Sequence, residues 1–358
     1  MPSLLPVERP FAPRSFPLFY GWVIVLVGTF GVIATIPGQT MGVGPFTESL
    51  LAVLALERDQ LALAYLVGTL SSSFLLPRVG RCFDRIGARL MAILAFVAFG
   101  GALLYLSRIG SLFAALNDAL APALQWDWDW PGEGSLAGPE VLAWLLITSG
   151  YFLVRFLGQG TLTMVCRAML GKWFNRQRGL VSSLSGAIAS AGFASSPALL
   201  FGLIDGFGYA ETWALFGGIM IFVMAPLAFV FFRDNPEECG LLMDDPRARR
   251  KPGDNQPDNP EFTIYRELNA REASRTYAFW ITCLATAFLA YFGTAIPFHA
   301  ESLAAEAGMP TQAFVALFVK TLPIQISATF VVGWMCGKLR MKWVLMLMLG
   351  AETVGAIG

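Results

Sequence analysis

Two cations interrupt long apolar stretches of this chain: Arg155, within LLITSGYFLVRFLGQGTLTMV, and Lys320, within FVALFVKTLPIQISATFVV. An ionised side chain is costly among apolar neighbours, so each is a functional candidate whose partner has to be found. Facing one cavity, the two would make it attractive to anions. Arg155 is followed by Gly158, Gln159 and Gly160, which let a neighbouring backbone approach and add an amide. Its plainer alternative is a clamp on carbonyls of adjacent helices. Lys320 precedes Pro323 and Gln325, and its plainer alternative is to snorkel to the membrane interface. Glu352 is the one carboxylate well inside an apolar run, and His299 is the one histidine, with an ordinary pKa near neutrality. Either could carry a proton, and Glu352 could be the counter-ion of Lys320. Packing and an idle interfacial position are the alternatives for these two. The five cysteines show no CxxC spacing, and with one histidine they make no familiar zinc site, so no metal and no cofactor is expected. No nucleophile with a base and no acid pair stands out, which argues against an enzyme.

The elements that must position these residues are membrane helices. Of 358 residues, 56% are hydrophobic and 14% charged, with 25 basic side chains balancing 25 acidic ones. That is too little charge for a water-facing surface, and a net charge of zero argues against a nucleic-acid partner. Windows of about 20 apolar residues give nine spans. They cover roughly 19–42, 60–79, 88–107, 141–166, 179–204, 212–232, 277–299, 312–336 and 343–358. Lys and Arg concentrate in the tail and in loops 2/3, 4/5, 6/7 and 8/9, leaving only Arg58 and Arg108 on the other side and Arg155 and Lys320 inside spans. This bias predicts a cytoplasmic N-terminus, which lacks the features of a signal peptide. All five cysteines then fall at the inner side, where thiols stay reduced.

The layout predicts a tail at 1–18, a six-helix lobe at 19–232 with an outer loop insertion at 108–140, a water-exposed linker at 233–274 and a partial second lobe at 275–358. The insertion reads as a short amphipathic helix followed by Trp126, Trp128 and Trp130 alternating with Asp. That pattern suits a membrane-hugging loop or, alternatively, a substrate lid. In span 1, Pro37 removes a helical donor, and Gly38, Gln39, Thr40, Gly42, Gly44 and Pro45 follow, so its outer half is expected to line a cavity, with a packing kink as the alternative. Arg155 lies about 21 Å from the outer start of span 4 at about 1.5 Å per residue, past the midplane. Span 5 carries Ser182, Gly186 and Ser190 at spacing four, a surface for close helix packing. Tyr291 sits with Gly293, Thr294 and Pro297 toward the outer end of span 7. After span 2 the chain reads GRCFDRIGAR and after span 8 GWMCGKLRMK, a modest internal repeat in which Gly80, Arg85 and Arg89 align with Gly333, Lys338 and Lys342.

GRCFDRIGAR resembles the loop 2/3 signature of the major facilitator superfamily, matched at Gly80, Asp84, Arg85, Gly87 and Arg89. RFLGQG from Arg155 is loosely similar to that family's fourth-helix signature. FYGWVIV, WFNRQRGL, NPEECGL and REASRTYAFW resemble the oxalate/formate antiporter and monocarboxylate transporter families, and the Gly-Pro pattern of drug/proton antiporters is absent at Pro197. The resemblance implies an all-α membrane protein, a two-lobe helical bundle of which about nine of twelve spans are present, with the second lobe incomplete as a fragment or truncated product. It implies a gating latch at the loop 2/3 residues, with Asp84 pairing with nearby Arg and an opposing helix end. It further implies a secondary carrier of a small mono- or dicarboxylate by alternating access, as antiport or with a coupling proton or counter-anion, in the plasma (inner) membrane. The expected substrate-binding residues are Gln39, Arg155, Gln159, Tyr291, Lys320 and Gln325. The helix 8 arginine of such carriers is replaced near Thr329, so Lys320 would have to substitute. Export of hydrophobic or drug-like compounds is the alternative within the class; a non-transporting membrane sensor or truncated remnant is the alternative outside it.

The topology is open to a direct check with an impermeant thiol reagent. Cys82, in loop 2/3, is expected to react from the cytoplasmic side of sealed vesicles and to resist reagent from outside; labelling from outside overturns the orientation.

Overall fold

The computed structural model describes residues 6, 8–129, 135–174, 177–244 and 268–357. Six helices in it are long and apolar enough to cross a membrane, and the longest, Arg58–Ser107, holds two spans in 50 residues. It turns at Gly87, whose φ of 82° and ψ of 167° lie outside the helical region and are open to glycine at little cost. Spans 4, 5, 6 and 7 are Gly138–Trp173, Arg178–Phe207, Tyr209–Phe231 and Tyr277–Phe298. Thr311–Lys320 and Leu322–Lys338 together make span 8, and Met341–Ile357 lies at the position of span 9.

Span 1 is broken where its prolines stand. Gly21–Ala34 ends, a 3-10 turn occupies Ile36–Gly38, Gln39 is extended, and the helix resumes from Thr40. A second 3-10 turn at Gly44–Phe46 contains Pro45. Sequence reasoning expected this half to line a cavity. Instead Pro37, Gly38, Thr40 and Gly42 through Phe46 are buried, and protein rather than water surrounds the interrupted backbone. A narrow apolar crevice touches it, between Met41, Pro45, Phe201 and Pro297. The approach to span 4 is so close that a Cβ on Gly38 would sit 2.5 Å from the Val154 carbonyl oxygen and 3.1 Å from the Gly158 Cα.

The first six spans share one apolar core in which Tyr20, Phe96, Phe99, Tyr151, Trp173 and Phe232 are buried. Phe46 and Trp213 stack at 3.9 Å within it. Spans 7 to 9 leave large side chains such as Leu284, Trp334 and Met346 exposed. The two groups of spans meet along span 5, where Ser183 occupies the space beside Gly333 and Gly186 faces the Thr329 methyl. They meet again at the end away from the basic loops, where the Pro297 carbonyl approaches Gly44 and the rings of Phe298 and Tyr65 lie 4.7 Å apart. Of the expected span 5 pattern, Gly186 lies at the first of these contacts, beside Ser183, while Ser182 is exposed.

In the insertion, Ile109–Leu120 is helical, and Asp127–Asp129 pairs antiparallel with Ser135–Ala137. The indole of Trp126 donates to the Ala123 carbonyl at 2.9 Å. Trp130 and most of the linker, 245–267, lie outside the described residues. The start of that linker differs from its expected exposure: Arg233, Asp234 and Cys239 are buried.

Because Gly38 touches backbone rather than a movable side chain, Gly38→Val is expected to lower stability in detergent by roughly 1–3 kcal/mol, as overpacking does. Gly101→Ala, where a Cβ meets nothing within 4 Å, serves as the control and should unfold with the wild type in a thermal melt.

Candidate functional site

Arg155 opens a segment, Arg155–Leu162, that is wound as a π-helix inside span 4. Thr161 donates its hydroxyl to the Phe156 carbonyl at 2.8 Å, and Thr163 to the Gly158 carbonyl at 3.3 Å, each five residues back, so hydroxyls supply bonds where the ordinary ladder shifts. Such bulges often accompany functional sites. Arg155 is 5% exposed. Its Nη1 donates to the Gly38 carbonyl and to Thr40 Oγ1, each at the long distance of 3.4 Å, and its Nε has no acceptor. The guanidinium carbon lies 5.1 Å from the centre of the Tyr65 ring. No carboxylate pairs with it among the described residues.

Neutral groups complete this chamber. The Tyr65 hydroxyl and Thr40 Oγ1 share a 2.8 Å hydrogen bond, Tyr151 meets Tyr65 edge-on at 5.3 Å, and Phe298 of span 7 covers the same ring. The buried Tyr151 hydroxyl has no partner. Gln39 stands at the break of span 1 as expected; its amide donates to Thr35 Oγ1 at 2.9 Å and to Thr163 Oγ1 at 3.3 Å, bridging spans 1 and 4. Thr40, Tyr65, Tyr151 and Phe298 were not among the expected site residues. A lone tyrosine in the apolar run ALAYLVG was the available signal for Tyr65.

The other expected substrate residues do not join them. Gln159 is exposed one turn beyond Arg155. Tyr291 is 64% exposed and packs on Phe292. Gln325 donates to Thr321 Oγ1 at 3.0 Å, a bond within its own helix. Lys320 is the exposed last residue of Thr311–Lys320, where the helix C-terminus favours a cation and Pro323 starts a new helix. A Lys320–Glu352 ion pair, one of the alternatives for Glu352, is absent among the described residues. Glu352 keeps one buried carboxylate oxygen without a partner, and His299 is exposed at the end of span 7.

The gating loop requires a correction. Asp84 was expected to pair with arginine and a helix end, yet it is exposed and makes no ion pair among the described residues. Asp234, after span 6, takes the helix-end role. Its Oδ1 accepts the Arg89 backbone N–H at 2.9 Å, and its carboxylate lies against Gly87, where a Cβ would collide with it. The reason is steric and electrostatic: the positive φ of Gly87 exposes the first N–H groups of span 3 to a carboxylate brought in by another helix. Arg89 is a buried staple, its guanidinium donating to the carbonyls of Phe229 (2.9 Å), Arg9 (2.7 Å) and Pro6 (3.0 Å). Arg233, 1% exposed, donates to the carbonyls of Phe232, Val230, Phe11 and Arg9. Gly80 faces open space and Arg85 is exposed. Burial pushes the Cys239 thiol up to about 12, so it stays protonated beside this cluster.

Broken helices, a buried cation at mid-span and a stapled loop between spans 2 and 3 define the class of a polytopic membrane carrier. The chain matches the family profile of the Major Facilitator Superfamily over residues 23–358, and it belongs to that family. It is therefore an integral membrane secondary transporter of small solutes, in a family of transporters rather than enzymes. Neither the curated proteins nor the solved structures yield a match.

Asp234 lends itself to a pH test. Burial, the largest effect, raises its pKa above the ordinary 3.8, while the Arg89 and Ala88 N–H groups pull the other way. A carboxyl with a raised folded pKa binds its proton more tightly in the folded state, so its contribution to stability falls as pH rises from the unfolded pKa through the folded one. The unfolding temperature should show that decline in the wild type and lack it in Asp234→Asn, which keeps an oxygen acceptor. Asp234→Ala, which removes the cap, should lose about 0.5–2 kcal/mol whatever the pH.

Proposed function

We propose that this transporter moves a small organic anion, a mono- or dicarboxylate, which binds at Arg155. The observation that carries the reading is a buried guanidinium whose bonds are few and long and whose neighbours are neutral. An arriving carboxylate supplies the missing charge and accepts from the Nε that lacks a partner, forming the charge-assisted bonds this group lacks when empty. Tyr65, Thr40 and Gln39 supply the polar lining. Lys320 contributes a second positive charge when the spans of the second lobe close on the first, and Glu352 and His299 are the groups available to a coupling proton; an exchanged anion is the other coupling. With the tail in the cytoplasm, contact at the far end and exposed side chains such as Tyr277 and Trp280 at the basic end of span 7 correspond to a conformation open inward. Rocking of the lobes about the span 5 and span 8 contact then alternates access. The apolar crevice between Met41, Phe201, Phe298 and Phe318 favours a second reading, export of neutral hydrophobic compounds.

Uptake of labelled carboxylates into proteoliposomes separates these readings. Arg155→Ala should reduce uptake by at least about 100-fold, the scale of stranding one member of a buried charge pair, and Arg155→Lys should restore part of it. Undiminished carboxylate uptake by Arg155→Ala would remove this residue from the site. Hydrophobic efflux indifferent to the substitution would favour the second reading.

A further inference from the structure

A basic cavity of about 300 Å³ lies between spans 1, 4 and 5 toward the basic loops. Val32, Leu170 and Ala189 form apolar walls, and Arg167, Arg178 and Ser182 supply the polar ones. Two features give this cavity its character. First, both arginines are exposed to it, and neither makes an ion pair among the described residues. The nearby Asp244 carboxylate is turned to the Gln177 backbone N–H, at 3.1 Å. Second, the Arg178 guanidinium is folded back across span 4: its Nη2 lies 3.1 Å from where a Cβ on Gly171 would stand. A glycine at 171 thus leaves the room that brings a cation of span 5 over the helix that carries Arg167. Ser185 is already engaged with Thr29 at 2.8 Å, leaving Ser182 as the free hydroxyl.

We infer that this cavity is a second anion site, taking the carboxylate or phosphate head of a small organic anion between Arg167 and Arg178 and its apolar body against Leu170 and Ala189. Arg167 lies about 18 Å from Arg155 along span 4, at about 1.5 Å per residue, so the two sites are separate stations. Its service in transport, as a holding site between the mid-span arginine and the basic-end solution, rests on the function proposed above. Its affinity for anions does not. The same chemistry would accept the headgroup of an anionic lipid.

The test measures binding of labelled benzoate to the purified full chain in phosphatidylcholine nanodiscs. In Arg155→Ala, and in the volume-keeping Arg155→Met, benzoate binding is expected to persist. Adding Arg167→Gln and Arg178→Gln should then weaken it at least about tenfold, the loss of one charge-assisted hydrogen bond. Arg178→Lys should recover part of the affinity, and Gly171→Leu, which fills the space without changing charge, should weaken binding as the double substitution does. Monodisperse elution and an unchanged unfolding temperature establish that these surface variants are folded. Replacing half the lipid with phosphatidylglycerol separates the sources: competition with benzoate assigns the site to a lipid headgroup, and unchanged binding assigns it to a soluble anion. Absence of benzoate binding in the wild type, its loss in both Arg155 variants, or its indifference to the Arg167 and Arg178 substitutions overturns the second site. Uptake that still depends on Arg155 would in that case leave the proposed function standing. Benzoate bound through Arg167 and Arg178 in a protein that transports no carboxylate would do the reverse.

Discussion

Arg155, a buried charge with no carboxylate partner among the described residues, organises the interior of the first six spans. Arg155 is buried in a span where the surrounding medium is lipid or apolar side chain, and the groups around it are a carbonyl, a hydroxyl and an aromatic face. Each is a weak partner for a guanidinium, and the long contacts show that none engages it fully. A carboxylate in the chain at this point would have made a stable, occupied pair. Among the described residues none does so, and the anion site proposed above rests on that observation. The cost of holding the charge is met by cation–π attraction, strengthened where water is excluded, and by the burial of large aromatic rings around it.

Holding that charge at its depth requires backbone that is not regular helix. The break at Pro37 to Gln39 turns the Gly38 carbonyl toward span 4, and the π segment that begins at Arg155 changes the register of span 4 opposite it. The two interruptions face each other, and Gly38 and Gly158 let the backbones approach beside the Phe99 ring. Irregular backbone at membrane depth survives only where protein or a polar cavity surrounds it, and here the hydroxyls of Thr35, Thr161 and Thr163 bond within it. The same logic recurs at the basic end. There Gly87 frees the N–H groups of span 3, Asp234 accepts from them, and Arg89 and Arg233 gather the carbonyls of the tail.

The same residues mark how far the amino-acid sequence discloses the molecule. The spans, the break in span 1 and the tight contact along span 5 follow from hydrophobic runs, proline and small residues, all of which act locally. Arg155 was legible because charge in an apolar run is rare. Thr40 was legible only as part of the broken half of span 1 and Tyr65 only as a lone tyrosine in an apolar run; Tyr151 was not, because rings are ordinary in membrane helices and acquire meaning only when folding brings spans together. Asp84 attracted attention by lying in a recognisable loop pattern. The carboxylate that caps span 3 lies 147 residues beyond Gly87, at the start of a segment whose composition resembles a solvated linker, and nothing local distinguishes it. Gln159, Tyr291 and Gln325 were chosen for polarity within spans, but polarity alone does not fix which way a helix faces.

Tyr65 connects the charge to the motion. One face of its ring receives the Arg155 guanidinium, its hydroxyl holds Thr40 on the resumed helix of span 1, and Phe298 at the end of span 7 covers it. An anion drawn to Arg155 competes directly with the ring for the cation, since a charge-assisted hydrogen bond is stronger than a cation–π contact. Any shift of Arg155 is therefore felt at the place where the two lobes touch, without a long relay of side chains. A ligand can move such an equilibrium only by as much as it distinguishes the two states, and here the distinction is concrete. With Phe298 seated on Tyr65, the two groups of spans touch at the end away from the basic loops. On the function proposed above, release of that contact is the step that opens Arg155 to the other side.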